Sequence, residues 1–220
     1  QTLAEAAEKN PYQPGVVFPA GRDARGRAKT VQLSFMQLNA TCDGYAQGLT
    51  ELGIRQGERV LLLLQPGVEL IAVVFALLKM GAVPVLIDPG MGRRAFLQCV
   101  AETEPSAMIG VPVGHLLRHA LRKPFRTVKH TVVAVAPGPL AALTDLLAER
   151  TLDEVYVDHL APFPVAPTTM ESEAAVAFTS GSTGTPKGVV YRHGMFKAQI
   201  ALLRDVIGIQ PGEVDLALLY

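Results

Sequence analysis

The sequence predicts an α/β fold: a layered, largely parallel sheet with flanking helices. Three observations carry this. Short apolar runs rich in β-branched residues recur along the chain, segments with apolar residues at helical spacing lie between them, and the runs are apolar on both faces. Strands that read apolar on both faces belong to a sheet buried between two helix layers, and parallel neighbours need a crossover of helix length. With 220 residues the chain can bury roughly 70% of its unfolded surface, so core material is not limiting.

Gln1 to Lys29 holds Pro11, Pro14, Pro19 and an arginine-rich run, and reads as loop and edge structure. Ser34 is a natural N-cap for a helix in which Phe35, Leu38, Cys42, Tyr45, Leu49 and Leu52 share a face until Gly53 ends it. A strand at Arg59–Leu64, a helix from Val68 to Met80 closed by Gly81, and a strand at Val83–Ile87 follow. Further on stand a helix from Arg93 to Glu102, a strand at 107–111, a helix from Pro112 to Arg122, a strand at 131–135 and a helix from Leu140 to Leu147. Pro162, Pro164 and Pro167 stiffen the approach to the next strand. Beyond it, Arg192-His193-Gly194 turns into a helix from Met195 to Ile207, where His193 is expected to make a structural hydrogen bond in preference to a supporting role at a nucleotide site. A last strand begins at Leu216.

Composition removes several classes of function. Lysine plus arginine equals aspartate plus glutamate at 20 each, so no net field draws the chain to nucleic acid or an anionic surface. Cys42 and Cys99 sit in helix-like apolar patterns and read as buried thiols, which points to a reducing, cytoplasmic setting. No secretory leader is in view, and the apolar stretch from Val60 to Ile87 is broken by Pro66, Glu69 and Lys79, so no transmembrane segment is expected. Asn39-Ala40-Thr41 is a glycosylation sequon without a secretory route to use it. His115 and His119 are four apart on a helix but lack a third ligand, so they read as packing or surface residues, and no metal-ligating set is assigned. Gly90-Met91-Gly92-Arg93-Arg94-Ala95 imitates a dinucleotide fingerprint; Pro89 intervenes and no acidic residue stands about 20 positions on.

The stretch that carries chemistry is Thr179-Ser180-Gly181-Ser182-Thr183-Gly184-Thr185-Pro186-Lys187-Gly188-Val189, launched by the apolar run Ala174–Phe178. Glycines let backbone N–H groups turn inward, hydroxyls add neutral donors, and the lysine brings one mobile charge, which together make a cradle for phosphate oxygens. A Walker A loop fails here, since Pro186 stands where its second glycine should be and Gly188 where Ser or Thr should be. Gly188-Val189-Val190-Tyr191 reads as a strand, giving strand, mobile loop, strand. Without nucleotide the loop from Ser180 to Pro186 is predicted to be among the least ordered parts of the chain.

That string resembles the signature phosphate loop of the adenylate-forming (AMP-binding) superfamily, which includes acyl-CoA synthetases, peptide-synthetase adenylation domains and luciferases. Leu33–Leu38 and Leu78–Pro89 are similar to two further strings of that superfamily. The resemblance implies ATP with Mg²⁺, a carboxylic acid substrate, an acyl-adenylate with release of pyrophosphate, and then CoA, a carrier-protein thiol or an internal hydroxyl as acceptor. It places Lys187 on the β- and γ-phosphates and the hydroxyls of Thr179, Ser180, Ser182 and Thr183 as orienting donors, with Thr185 in the same loop. Gly181, Gly184 and Gly188 supply mobility and close approach. The superfamily's Tyr-Gly-x-Thr-Glu region, ribose aspartate, hinge and C-terminal catalytic lysine match nothing in this sequence. Residues 1–220 are therefore expected to be the first part of a large N-terminal domain that needs the remainder of its own chain, and to be inactive alone. Asp88-Pro89-Gly90-Met91-Gly92 is also similar to a string of the β-lactone synthetases of bacterial long-chain olefin biosynthesis and relatives described as peptide synthases. A catalytically idle nucleotide-binding or scaffolding domain is the reading from a different class.

Overall fold

The computed structural model describes residues 3–22, 25–134, 144–158, 161–179, 186–210 and 212–214. The elements are α1 (Leu3–Lys9), β1 (Pro14–Arg22), β2 (Ala28–Ser34), α2 (Phe35–Leu52), β3 (Arg59–Leu63), α3 (Val68–Lys79), β4 (Val83–Leu86), α4 (Arg93–Thr103), β5 (Ala107–Gly110), α5 (Pro112–Ala120), β6 (His130–Val133), α6 (Thr144–Leu147), β7 (Arg150–Thr151), α7 (Leu152–Val155), β8 (Glu173–Thr179), β9 (Lys187–Arg192) and α8 (His193–Ile207). Seven strands form one sheet in the order β7-β6-β5-β3-β4-β8-β9, parallel except for the antiparallel β8–β9 pair.

The N-terminal region, expected as loop and edge structure, is more regular than that: α1 leads into an antiparallel β1–β2 ribbon. Pro14 and Pro19 hide that strand from a propensity reading, yet a two-stranded ribbon leaves open edges where a missing N–H costs nothing. Ser34 caps α2 through a full capping box: Gln37 N–H donates to Ser34 Oγ, and Ser34 N–H to Gln37 Oε1. Gly53 closes that helix in the left-handed region at φ 113°. The short β7 and α7 fall in a stretch that carries no strand- or helix-length apolar pattern.

Alternation along the strands splits the core into two layers. Val60, Leu62, Ala107, Ile109 and Val132 join α2 and α3 residues such as Leu49, Val73 and Leu77 in one cluster. Leu61, Val83, Val85, Met108 and Val176 join Phe96, Cys99 and Val100 of α4 in the other. Cys42 and Cys99 are thus buried in different layers, both free, and burial pushes the Cys42 thiol up to about 12. No disulfide can join them.

Three polar and steric devices fix the layers. The Lys79 ammonium is buried against the Asp43 carboxylate and also donates to Asn39 Oδ1 at 2.9 Å. That contact places the sequon asparagine on a helix and engages its side chain. Arg59 donates to Glu173 through Nε and Nη2 of its guanidinium, at 3.1 and 2.9 Å, tying β3 to β8 across β4. Finally, α2 presents Gly44 and Gly48 to the segment Val155–Val157: a Cβ on Gly48 would lie 1.6 Å from the Val155 carbonyl oxygen, and one on Gly44 2.6 Å from that of Val157. Only bare backbone fits there, and Tyr45 meets Tyr156 edge-on beside it, with ring centroids 5.3 Å apart.

Candidate functional site

β8 lies parallel to β4 in the register Val85↔Val176 and Leu86↔Ala177, so the end of β8 emerges at the carboxyl edge of the sheet beside the end of β4. At this edge α3, which follows β3, goes to one layer and α4, which follows the adjacent β4, to the other. Neighbouring connections that diverge in this way open a crevice at the carboxyl ends of the strands, the usual ligand position in open α/β sheets. The hydroxyl-rich loop starts one strand away.

The predicted strand–loop–strand is present. β8 and β9 pair antiparallel from Glu173↔Arg192 to Phe178↔Gly188 and Thr179↔Lys187. The last pair forms the base of the loop. Ser180, Gly181, Ser182, Thr183, Gly184 and Thr185 lie outside the described residues, as does the expected mobility of that segment. Lys187 is exposed and forms no ion pair with any described residue. Gly188 sits under the ring of Phe178: a Cβ there would lie 3.0 Å from both Cε1 and Cζ.

Other sequence candidates fall elsewhere. The Asp88–Gly92 stretch follows β4 at the same carboxyl edge as a 3₁₀ turn over Pro89–Met91, capped by Asp88 Oδ1, which accepts from Gly90 N–H at 2.7 Å. An intervening turn of this kind is not a dinucleotide loop, in which a strand passes straight into a helix. His193 stands at the opposite edge. Antiparallel β9 carries the chain roughly 20 Å from Lys187 at about 3.3 Å per residue, and the His193 backbone N–H donates to Ser172 O at 3.1 Å. The structural hydrogen bond therefore holds, through the main chain, and a supporting role at the nucleotide site does not.

His115 and His119 share no ligand position. His115 is fully buried with Nε2 3.0 Å from Val132 O, whereas His119 Nε2 lies 3.3 Å from Leu147 O. Burial is the main cause that lowers the His115 pKa from 6.5 to about 4. Among the described residues no cluster of three or more His, Cys, Asp or Glu could hold a metal, and no helix is long and apolar enough to cross a membrane. The last strand expected from Leu216 lies outside the described residues. β9 and α8 expose Val189, Val190, Ile200, Leu202, Val206 and Ile207, a concentration of large apolar side chains of the kind that marks an interaction surface. Exposed apolar side chains are what the sequence reading expects where the remainder of the polypeptide would sit.

A family model described as AMP-binding enzyme matches residues 3–219. Olefin beta-lactone synthetases of Xanthomonas campestris and Stenotrophomonas maltophilia are each 41% identical, over 98% and 97% of this chain and 38% of their own length. Among solved structures, a long-chain-fatty-acid-CoA ligase from Archaeoglobus fulgidus superposes with a TM-score of 0.74 at 19% identity, covering 94% of this chain and 38% of the ligase. The chain thus spans well under half the length of the relatives it matches.

Proposed function

Because this chain belongs to the AMP-binding enzyme family, we propose that it is the opening part of a large N-terminal domain in a longer polypeptide that uses ATP to activate a carboxylic acid. The acid's carboxylate attacks the α-phosphorus, the acyl-adenylate forms, and pyrophosphate leaves. The observation that carries this reading is the Thr179–Val189 string, set between β8 and an antiparallel β9 at the carboxyl edge of the sheet.

Charge grows on the leaving pyrophosphate, and positioned donors stabilise such charge better in the transition state than in the ground state. Lys187, exposed at the loop base and in no ion pair with any described residue, is the group we assign to the β- and γ-phosphates; the hydroxyls of Thr179, Ser180, Ser182 and Thr183 orient them. The donor set fits a triphosphate. It does not fit Mg²⁺, since residues 174–189 contain no carboxylate, so the metal's protein ligands belong to other parts of the polypeptide. The adenine shelf, the ribose aspartate and the catalytic lysine are assigned to the remainder as well, and the apolar surface of β9 and α8 is its seat. A cytoplasmic setting accords with two buried free thiols.

The 41% identity to olefin beta-lactone synthetases favours a specific acceptor, the substrate's own hydroxyl. A β-hydroxy acid, once adenylated, closes on itself: the β-oxygen bonds to the acyl carbon, its proton is released, and AMP departs, leaving a four-membered lactone. Thioester formation on CoA or a carrier protein is the competing outcome. Pyrophosphate exchange with the full-length polypeptide over a panel of acids, with and without a β-hydroxyl, followed by mass analysis with CoA present, separates them. Exchange with β-hydroxy acids and a product lighter than the acid by one water supports lactone closure; a CoA adduct replaces it with ligation. Absence of exchange with every acid would leave an idle nucleotide-binding or scaffolding domain.

A further inference from the structure

We infer that Phe178 is a positioning residue for the phosphate loop, acting through Gly188 to hold Lys187 in register; this rests on the adenylating role proposed above. Gly188 lies directly opposite Phe178 in the β8–β9 ladder, one pair below Thr179↔Lys187. A glycine inside a strand is normally a weak point, with no side chain to pack and more freedom to lose. Here the missing side chain makes a seat, with the Phe178 ring within 3.0 Å of where a Cβ would be. The other side of the ring's environment is the core, because Phe178 packs against the cluster that contains Val85, Ile87, Phe96 and Val176. Phe178 therefore links exposed Gly188 of β9 to the buried layer that β8 enters through Val176.

β9 needs such a tie. Among the described residues it is the outermost strand of the sheet, with β8 as its single ladder partner, and its residues from Lys187 to Val190 are all exposed. Register in a thinly buried, glycine-containing strand is weakly specified, and a slip of one residue would turn Lys187 to the opposite face. An aromatic ring laid over a cross-strand glycine pins register from the partner strand. Lys187 acts as a charge at a fixed distance, so the accuracy of its placement decides its worth in the transition state.

The test combines amide exchange with a mutant cycle. In the 220-residue chain, Phe178→Ala should raise hydrogen exchange at the Val189–Tyr191 amides at least tenfold, and Phe178→Tyr, which keeps the ring, should leave it within twofold of wild type. Gly188→Ala should raise it too, whereas adding Gly188→Ala to Phe178→Ala should change little, because the seat is then vacant. In the full-length polypeptide, Phe178→Ala should lower kcat/KM for ATP about tenfold through kcat, yet cost nothing further in a Lys187→Ala background. Protected β9 amides in Phe178→Ala, or losses that add fully in the cycles with Gly188 or Lys187, would overturn the proposal. If the wild type adenylates no acid, the adenylating role fails while the exchange arm still judges Phe178.

Discussion

Replacing Gly48 by alanine should destabilise the protein, although the same change in an open helix stabilises. On α2 the added methyl would stand 1.6 Å from the Val155 carbonyl oxygen and 2.7 Å from its carbon, and both neighbours are backbone. Ordinary van der Waals contact is 3.4–4 Å, so the segment Val155–Val157 must retreat by about 1.8 Å or more. That retreat loosens Leu152 and Val155, each 3% exposed, and pulls Tyr156 from the face of Tyr45. Forced overpacking costs about 1–3 kcal/mol and occasionally more, and a loosened aromatic pair adds about 0.5–1.5. Alanine's better helix propensity returns about 1 kcal/mol. The net loss is about 2 kcal/mol, which for a chain of this size lowers Tm by about 4–8 °C. Urea unfolding of the 220-residue chain, followed by far-ultraviolet circular dichroism, measures it. A midpoint equal to or above that of wild type would show that α2 does not receive the Val155–Val157 backbone as described.

Three further outcomes follow from the structure. Lys187→Ala in the full-length polypeptide should slow pyrophosphate exchange on the order of 10- to 100-fold with the fold intact, the loss of one charge-assisted contact; an unchanged rate would remove the lysine from the reaction. Because His115 titrates at 6.5 when unfolded but near 4 when folded, the unfolded chain takes up the proton first as pH falls. Stability should therefore drop between pH 6.5 and 4, by up to about 3 kcal/mol below that window, and urea midpoints should show the drop shrinking in His115→Gln. Lys79→Met should cost about 3–5 kcal/mol by stranding the Asp43 carboxylate, and thermal melts should show much of this regained when Asp43→Asn is added.

How much of this was legible beforehand depended on whether the signal was local. Ser34 with Gln37, and Gly53 after Leu52, state the limits of α2 in covalent neighbours, and the structure places them there. The phosphate-loop string was equally explicit, since its flanking strands appear where a β-branched reading puts them. What the sequence withheld was tertiary. Nothing near Gly44 or Gly48 announces that a segment some hundred residues later will lie against them, and Pro14 and Pro19 argue against a strand that exists because its edges are open. His193 shows the converse: proximity in sequence to Lys187 left a supporting role at the site open as the less favoured reading, and an antiparallel strand of six residues carries it to the far edge. Gly188 was read as room for a phosphate, and its place under Phe178 emerged only with the cross-strand register.

The position of β8 in the sheet also has a consequence for how the protein is made. β4 is flanked by β3, which precedes it, and by β8, whose partner residue Val176 follows Val85 by about ninety positions. At a synthesis rate of about 5–20 residues per second, β3 to β7 have all left the ribosome some seconds before β8 can slot in beside β4. For that interval one side of a central, strongly apolar strand has no partner, and the phosphate loop cannot take shape, because the strand that launches it is the last to dock into the parallel array. A pause or a break in translation between β7 and β8 would thus leave a half-built sheet with its most adhesive edge bare, an intermediate that binding chaperones would be expected to hold.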